Sequence, residues 1–285
     1  MDKKKRMCEL RVFAEEIRVT ALKEFQALGF GHVGGAMSIV ETLSVLYGQY
    51  MKVDPKNPRD PDRDWLVVSK GHAGPAVYAT LALKGFFPLE TLMTLNKNGT
   101  TLPSHCDRNL TPGIDMTTGS LGQGMSTAIG AALGNRLDKR ASHTFLIIGD
   151  GECNEGQIWE GAMSAAHFKL SNLIAFCDRN GQQLDGYTKN VLDMGDMAQK
   201  WNAFGWYVQE INGHDIAAVF DAVANAKAQT DKPSMIVLNT KKGNGCNFAE
   251  GVEANHHMRF TPEQMAGALE VAEKVLADAK AACPA

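Results

Sequence analysis

The sequence predicts an α/β protein in which a parallel β-sheet of about five or more strands carries helices on both faces. Short apolar runs begin at positions 65, 145, 173, 207 and 235, and helical segments separate most of them. Strands that are apolar throughout are typical of parallel sheets buried on both sides. The chain has 285 residues, of which 44% are hydrophobic and 21% are charged. This composition is that of a globular protein, and we predict a single domain over residues 1–285.

Two helices and a loop are predicted before the first strand. Apolar residues recur at helical spacing from Phe13 to Leu28, which indicates an amphipathic helix. The glycine-rich stretch GFGHVGGA interrupts it, and a second helix is predicted to start near Ser38, a good N-cap residue. The proline-rich, charged stretch DPKNPRDPDRD is predicted to be a loop.

Later helices are predicted from segments that lie between or after the apolar runs. QGMSTAIGAALGNRL precedes the second run, GQIWEGAMSAAHF follows it, and IAAVFDAVANAKA follows the fourth. A final helix is predicted to begin with Thr261 as its N-cap residue.

Charge and cysteine content exclude several classes of function. The net charge is −3 and the only basic run is at positions 3–6, so nucleic-acid binding is not expected. We expect no membrane segment and no signal peptide, because the N-terminal region contains charges and lacks an apolar core. The six cysteines form no CxxC pair, which disfavours a zinc or redox site and predicts reduced thiols in a cytoplasmic protein.

Polar residues follow the second and third apolar runs, where we expect a ligand site. In an open parallel sheet, ligands bind outside the carboxyl ends of the strands. Asp150 and Asn180 stand at two such ends and offer the hard oxygen ligands that Mg²⁺ prefers. Gly149 and Gly151 beside Asp150 allow the backbone to approach a ligand closely. A helix cap for Asp150 and a turn for Asn180 would explain either residue alone.

These residues and their surroundings resemble the transketolase family. Gly149-Asp150-Gly151, 28 intervening residues and then Asn180 are similar to its thiamine diphosphate motif, in which a second Asn usually stands at the position of Arg179. Five further segments are similar to family motifs and occur in the family's order: GHVGGAMS, SKGHAGPAVYATLALKG, TTGSLGQGMSTAIGAALG, INGHD and KKGNGCNFAEGVEANHHMRF. The near match GQGMST to a dinucleotide fingerprint is rejected because no apolar strand precedes it.

The resemblance implies a cofactor, a metal ion and their ligands. The cofactor is thiamine diphosphate, held by Mg²⁺ or Ca²⁺. The metal ligands would be Asp150, Asn180 and the backbone carbonyl of Gln182. The other cofactor-binding positions would be Gly119, Ser120, Leu121, Gly151, Glu155, Asn180 and Lys242, with Glu155 also at a subunit interface.

The resemblance also implies catalytic histidines, which we predict to be His32, His72, His105 and His256. Histidine titrates near neutrality, so it can hydrogen-bond or protonate the oxygens of a transferred ketol unit. Of the adjacent pair His256 and His257, we expect only one to point inward. His214 and the remaining histidines are assigned no role. Glu152 is likewise assigned none and is expected to be exposed.

Full-length members of the family carry two further domains, one of which provides a glutamate for the aminopyrimidine ring. The resemblance therefore implies the N-terminal subunit of a split transketolase. A separate C-terminal subunit would supply the pyrimidine-binding and C-terminal domains. Self-association through the diphosphate-binding domain would give an α2β2 heterotetramer acting on sugar phosphates.

Substrate identity stays open at this stage, because Phe30 stands where the family usually has Ser or Gly. Three alternatives also remain. The chain could be the α-subunit of a 2-oxo-acid dehydrogenase, a deoxyxylulose-phosphate synthase fragment, or a non-catalytic binding homologue.

Overall fold

The five predicted apolar runs form one parallel sheet in the computed structural model, which describes residues 2–283. In chain order the strands are β1 (Phe30–Gly31), β2 (Trp65–Val68), β3 (Thr144–Gly149), β4 (Leu173–Arg179), β5 (Gln182–Gln183), β6 (Gly186–Tyr187), β7 (Tyr207–Asn212), β8 (Ser234–Asn239) and β9 (Met258–Arg259). The parallel sheet has the order β2-β3-β4-β8-β7, while β1 pairs with β9 and β5 with β6 in short antiparallel ladders.

Helices pack on both faces of the sheet, as predicted. They are α1 (Lys3–Leu28), α2 (Val33–Met37), α3 (Val40–Val45), α4 (Gly74–Leu83), α5 (Gln123–Leu137), α6 (Gly156–His167), α7 (Thr188–Val191), α8 (Met197–Ala203), α9 (Ile216–Lys227) and α10 (Pro262–Ala282). A π-helical turn continues α3, and short 3₁₀ turns follow β2 and β3. Within residues 2–283, no helix is long and apolar enough to span a membrane.

Alternate residues of each central strand enter different hydrophobic cores. Along β3, Phe145 and Ile147 pack into one core, whereas Leu146 and Ile148 pack into the other. Because side chains of a strand point alternately to the two faces, a strand that is apolar at every position must be covered twice. This burial explains why these runs were recognisable in the sequence.

A helix begins near Ser38, as predicted, but Ser38 is not its N-cap residue, whereas the N-cap residue predicted at Thr261 is confirmed. The Ser38 hydroxyl donates to the Asp178 carboxylate at 2.7 Å, and α3 begins two residues later at Val40. Ser38 has helical backbone angles (φ −73°, ψ −15°) and ends α2, so it lacks the extended conformation that is typical of an N-cap residue. Thr261 and Gln264 form a reciprocal capping box at the start of α10.

Candidate active site

Strand ends at one edge of the sheet surround a cavity of about 300 Å³. It lies beyond β2, β3, β4 and β8, at their carboxyl ends, where ligands bind in open parallel sheets. The predicted residues that line it are His72, Leu121, Asp150, Gly151, Glu155, Asn180, Gln182, Lys242 and His256. We refer to this cavity as the cleft.

Asp150 and Asn180 follow neighbouring strands and lie together in the cleft. The Asp150 carboxylate accepts the backbone N–H groups of Gly151 at 2.8 Å and Gly181 at 2.7 Å. Within residues 2–283 it pairs with no lysine or arginine, and burial, followed by the nearby Asp178 charge, raises its pKa to about 7. A buried carboxylate without a cation fits a site that receives one.

The donor set near Asp150 is composed of hard oxygens. The Asn180 amide donates to Asp178 at 2.8 Å, and its oxygen accepts the N–H of Gln182 at 3.1 Å. These two contacts fix the orientation of the amide in a residue that lines the cleft. In the described part of the chain, no three His, Cys, Asp or Glu side chains cluster as a metal site. A cation here would therefore need amide and backbone oxygens beside the carboxylate.

A buried ion pair that we did not predict supports the floor of the cleft. Lys70 Nζ lies 2.6 Å from Asp178 Oδ2, and their side chains are 2% and 0% exposed. The same Nζ donates to the carbonyl of Gly35 at 2.7 Å. Although burial opposes ionisation, Lys70 and neighbouring hydrogen bonds hold the pKa of Asp178 below its ordinary value. Each member of the pair directly follows an apolar run, which was the available sequence signal.

Glu152 is buried, contrary to our expectation of exposure, and joins three segments around the cleft. Its carboxylate accepts the N–H of Gly122 at 2.8 Å, the N–H of Gly149 at 3.0 Å and the hydroxyl of Ser69. These donors belong to the ends of β2 and β3 and to the turn before α5. Such backbone N–H groups need an acceptor when they are buried, and Glu152 provides it.

Five histidine rings lie together above this floor. The ring of His32 is 5.5 Å from His72, 5.4 Å from His105, 5.5 Å from His256 and 4.6 Å from His257, measured between centroids. His72 and His256 are 4.6 Å apart. The structure thus brings the four predicted catalytic histidines together. Both members of the adjacent pair lie near His32, but only His256 lines the cleft, whereas His257 is exposed.

The pKa values of the four predicted histidines are all lowered, which favours the neutral rings. Burial, followed by neighbouring histidines and Lys242, lowers the pKa of His32 to about 4. Burial and then Lys242 lower the pKa of His256 to about 3, and burial also lowers the pKa values of His72 and His105. Neutral imidazoles can accept protons and hydrogen-bond hydroxyl groups.

Lys242 brings positive charge to the same cleft. It is 3% exposed, and its Nζ lies 3.3 Å from His256 Nδ1. Burial and then the charge of Lys70 lower its pKa to about 8. Among residues 2–283 it has no carboxylate within ion-pair distance. A buried ammonium without a counterion favours an anionic ligand.

Two glycines, Gly151 in the lining of the cleft and Gly119 outside it, permit close approaches to neighbouring side chains. Gly119 has φ 134°, and a Cβ there would lie 2.8 Å from the ring of His105. A Cβ on Gly151 would lie 2.6 Å from Gln183 Cβ. Leu121, which is 37% exposed, and the exposed Glu155 both line the cleft, whereas Ser120 is exposed beside it. Gly119 and Ser120 do not line the cleft themselves.

Comparison with known proteins gives one consistent family. A family model described as "Transketolase, thiamine diphosphate binding domain" matches residues 10–268. A 6-deoxy-6-sulfo-D-fructose transketolase subunit from Clostridium sp. strain MSTE9 is 53% identical over 93% of this chain and 97% of its own. An apulose-4-phosphate transketolase subunit from Phocaeicola vulgatus is 39% identical, with 86% and 87% covered.

Longer relatives match over part of their length. Human transketolase-like protein 2 is 36% identical over 91% of this chain and 41% of its own. Among solved structures, transketolase from Leishmania mexicana has a TM-score of 0.84 and 30% identity, covering 95% of this chain and 45% of that one. A Pichia stipitis transketolase mutant in complex with fructose 6-phosphate also has a TM-score of 0.84, at 27% identity.

Proposed function

The chain belongs to the transketolase family and contains its thiamine diphosphate binding domain, and on this basis we propose that it is one subunit of a split transketolase. Support comes from two relatives that this chain covers almost end to end and whose names describe them as subunits. Residues 1–285 would then form one diphosphate-binding domain, and a second chain would supply the pyrimidine-binding and C-terminal domains.

The proposed reaction is transfer of a two-carbon ketol unit between sugars, with a ketose bearing a terminal sulfonate or phosphate as donor. The relative at 53% identity is named for a sulfonated ketose, and the relative at 39% identity is named for a sugar phosphate. We favour the sulfonated ketose because of the higher identity. Phe30 lies against His257, with 5.6 Å between ring centroids, at the rim of the histidine cluster.

Bound thiamine diphosphate would supply the carbon nucleophile that accepts the ketol unit. Asp150, Asn180 and the Gln182 carbonyl would hold Mg²⁺ or Ca²⁺, which neutralises the diphosphate. Lys242 and His72 would contact the diphosphate oxygens, and the Gly151 backbone would approach them.

The histidines would bind the sugar and transfer protons to and from it. His32, His105 and His256 would hydrogen-bond its hydroxyl groups and accept or return protons at its oxygens. The observation that carries this proposal is that His256 lines the cleft that also holds the unpaired Lys242 and Asp150, while its ring lies 5.5 Å from His32, which in turn lies 5.4 Å from His105. A diphosphate site and a proton-transfer site are thereby adjacent.

Reconstitution with the partner chain tests the proposed activity. The purified chain alone should show no ketol transfer, and addition of the C-terminal subunit should restore it with 6-deoxy-6-sulfofructose or fructose 6-phosphate as donor and an aldose phosphate as acceptor. The ratio of kcat/KM for the two donors decides between sulfonate and phosphate. Robust activity of the isolated chain would contradict the split-enzyme proposal, and acyl transfer to lipoyl groups would favour a 2-oxo-acid dehydrogenase.

Cofactor binding provides a test that is independent of turnover. In the reconstituted complex, Asp150→Ala should abolish metal-dependent binding of thiamine diphosphate, measured by quenching of tryptophan fluorescence. Asp231→Ala is the matched control, since Asp231 is exposed and lies outside the cleft. Metal-dependent binding that survives in Asp150→Ala would contradict the metal assignment.

The proposed assembly is an α2β2 heterotetramer in the cytoplasm. The exposed position of Glu155 beside the cleft is compatible with a contact between copies of this domain. Light scattering of the reconstituted complex should give the mass of two copies of each chain. The mass of one copy of each would contradict this assembly.

A further inference from the structure

We propose that His214 is a positioning residue that holds the turn carrying Lys242 and thereby sets how tightly the cleft binds a diphosphate. This inference rests on the proposed function, because it concerns affinity for the cofactor's diphosphate. His214 lies in the turn between β7 and α9 and lines a different cavity, of about 560 Å³. It does not line the cleft, so its effect must pass through other residues.

The ring of His214 bridges a carboxylate and a backbone amide. Its Nε2 accepts the N–H of Lys241 at 2.8 Å, and its Nδ1 lies 3.2 Å from Glu41 Oε2. A nitrogen that accepts an N–H carries no proton, so the ring proton sits on Nδ1 and is donated to Glu41. The two contacts fix both the tautomer and the orientation of the ring.

The carboxylate end of this bridge is firmly anchored. Glu41 is 5% exposed and pairs with the guanidinium of Arg18. Arg18 Nη1 also donates to the backbone carbonyl of Asn244 at 2.5 Å. The network therefore grips the turn at Lys241 and at Asn244, on either side of Lys242.

Close packing brings His214 to this position. A Cβ on the preceding Gly213 would lie 2.5 Å from Thr240 Cγ2 and 2.9 Å from Leu238 Cβ. Only glycine allows the turn after β7 to press against the end of β8. The Gly213-His214 pair thus gives a physical role to the INGHD motif, to whose histidine we assigned none from the sequence.

Lys242 depends on this support because its position follows the backbone of the turn. Its side chain is almost fully buried, so Nζ has little freedom to correct a displaced Cα. Asn255 Nδ2 also donates to the Lys242 carbonyl, at 3.2 Å. Loss of the His214 contact would leave the N-terminal side of the turn without its side-chain acceptor.

A pair of substitutions separates the two contacts of the ring. His214→Asn keeps a donor near the position of Nδ1 but lacks an acceptor at the reach of Nε2, whereas His214→Gln can place an oxygen there. The dissociation constant of thiamine diphosphate with Mg²⁺ is measured on the complex with the C-terminal subunit. We expect His214→Asn to raise it about fivefold, the factor for one lost neutral hydrogen bond, and His214→Gln to stay within about twofold of wild type.

His143→Asn is the matched control, because His143 is also partly buried but precedes β3 and lies outside the cleft. It should leave the dissociation constant unchanged. If His214→Asn does not fold, His214→Ala serves as the second variant. It removes both contacts of the ring and should also raise the dissociation constant.

A double-mutant cycle with Lys242→Met distinguishes positioning from general stability. In the Lys242→Met background, His214→Asn should change the dissociation constant by less than about twofold, while the shifts in Tm of the two substitutions add. An undiminished effect in that background, or no effect of His214→Asn in the wild-type background, would overturn the inference. A wild-type complex that does not bind the cofactor would instead overturn the proposed function, and the inference with it.

Discussion

Replacement of Glu152 should destabilise the protein in two distinct steps. Glu152→Gln keeps one oxygen, which can still accept from Gly122 and Ser69 as Oε1 does in the native protein. The new amide group then faces the N–H of Gly149, which lies 3.0 Å from the native Oε2. Two donors then oppose each other, and the partly buried N–H of Gly149 loses its acceptor.

The sizes of the two effects follow from counting unsatisfied donors. One buried unsatisfied N–H costs about 1–3 kcal/mol, so Glu152→Gln should lower the free energy of unfolding by about 2 kcal/mol. Glu152→Ala removes the acceptor of all three donors and should cost about 4 kcal/mol or more. Ser69 can rotate its hydroxyl to another partner, which limits the second figure.

Urea unfolding of the purified chain measures both free energies. A fall in midpoint at unchanged slope reports a change in stability alone. Glu160→Gln is the matched control, because Glu160 is exposed on α6 and should change the free energy by less than about 0.5 kcal/mol. Equal losses for Glu152→Gln and Glu152→Ala, or no loss for either, would refute the assigned hydrogen bonds.

Three further outcomes are expected, each measured by urea unfolding. Asp178→Asn should cost about 3 kcal/mol, because it leaves the ammonium of Lys70 buried without its counterion, and a loss below about 1 kcal/mol would contradict that pairing. Gly124→Ala should lower the free energy of unfolding by about 1–3 kcal/mol, since its Cβ would lie 2.7 Å from Ser69 Cα. Gly130→Ala in the same helix has open space around its Cβ and should raise the free energy of unfolding by about 0.5–1 kcal/mol. The pKa of His32 is lowered from 6.5 to about 4, so the unfolded chain binds its proton first, and the free energy of unfolding should fall as pH drops from about 6.5 through 4. His32→Gln should reduce this fall, and an unchanged pH dependence would argue against the assigned shift.

The strands were predictable because burial on both faces leaves an apolar run that needs no partner to be recognised. The role of Ser38 was not predictable, since it ends α2 and its hydroxyl donates to Asp178, which is 140 positions away in the chain. Local patterns describe a residue's neighbours in sequence. They do not show which distant group a side chain will hydrogen-bond.

Some residues of the candidate site were predictable from the sequence, and others were not. Asp150 and Asn180 stand out because oxygen ligands directly follow buried strands, and the structure places both in the cleft. Glu152 was misjudged because an acidic residue is usually exposed, and only tertiary structure brings buried N–H groups to it. His214 was missed because its partners come from elements that are far from it in sequence.

The cleft can form only after strands from distant parts of the chain have paired. Trp65 pairs with Thr144 and Ile174 with Ser234, and the site needs the ends of β2, β3, β4 and β8 together. Contacts between distant chain segments form slowly, because a long loop must close before any pairing stabilises it. A partly folded chain with only local helices would therefore have no cleft. The cofactor would then bind late in folding, and only to chains in which the sheet is complete.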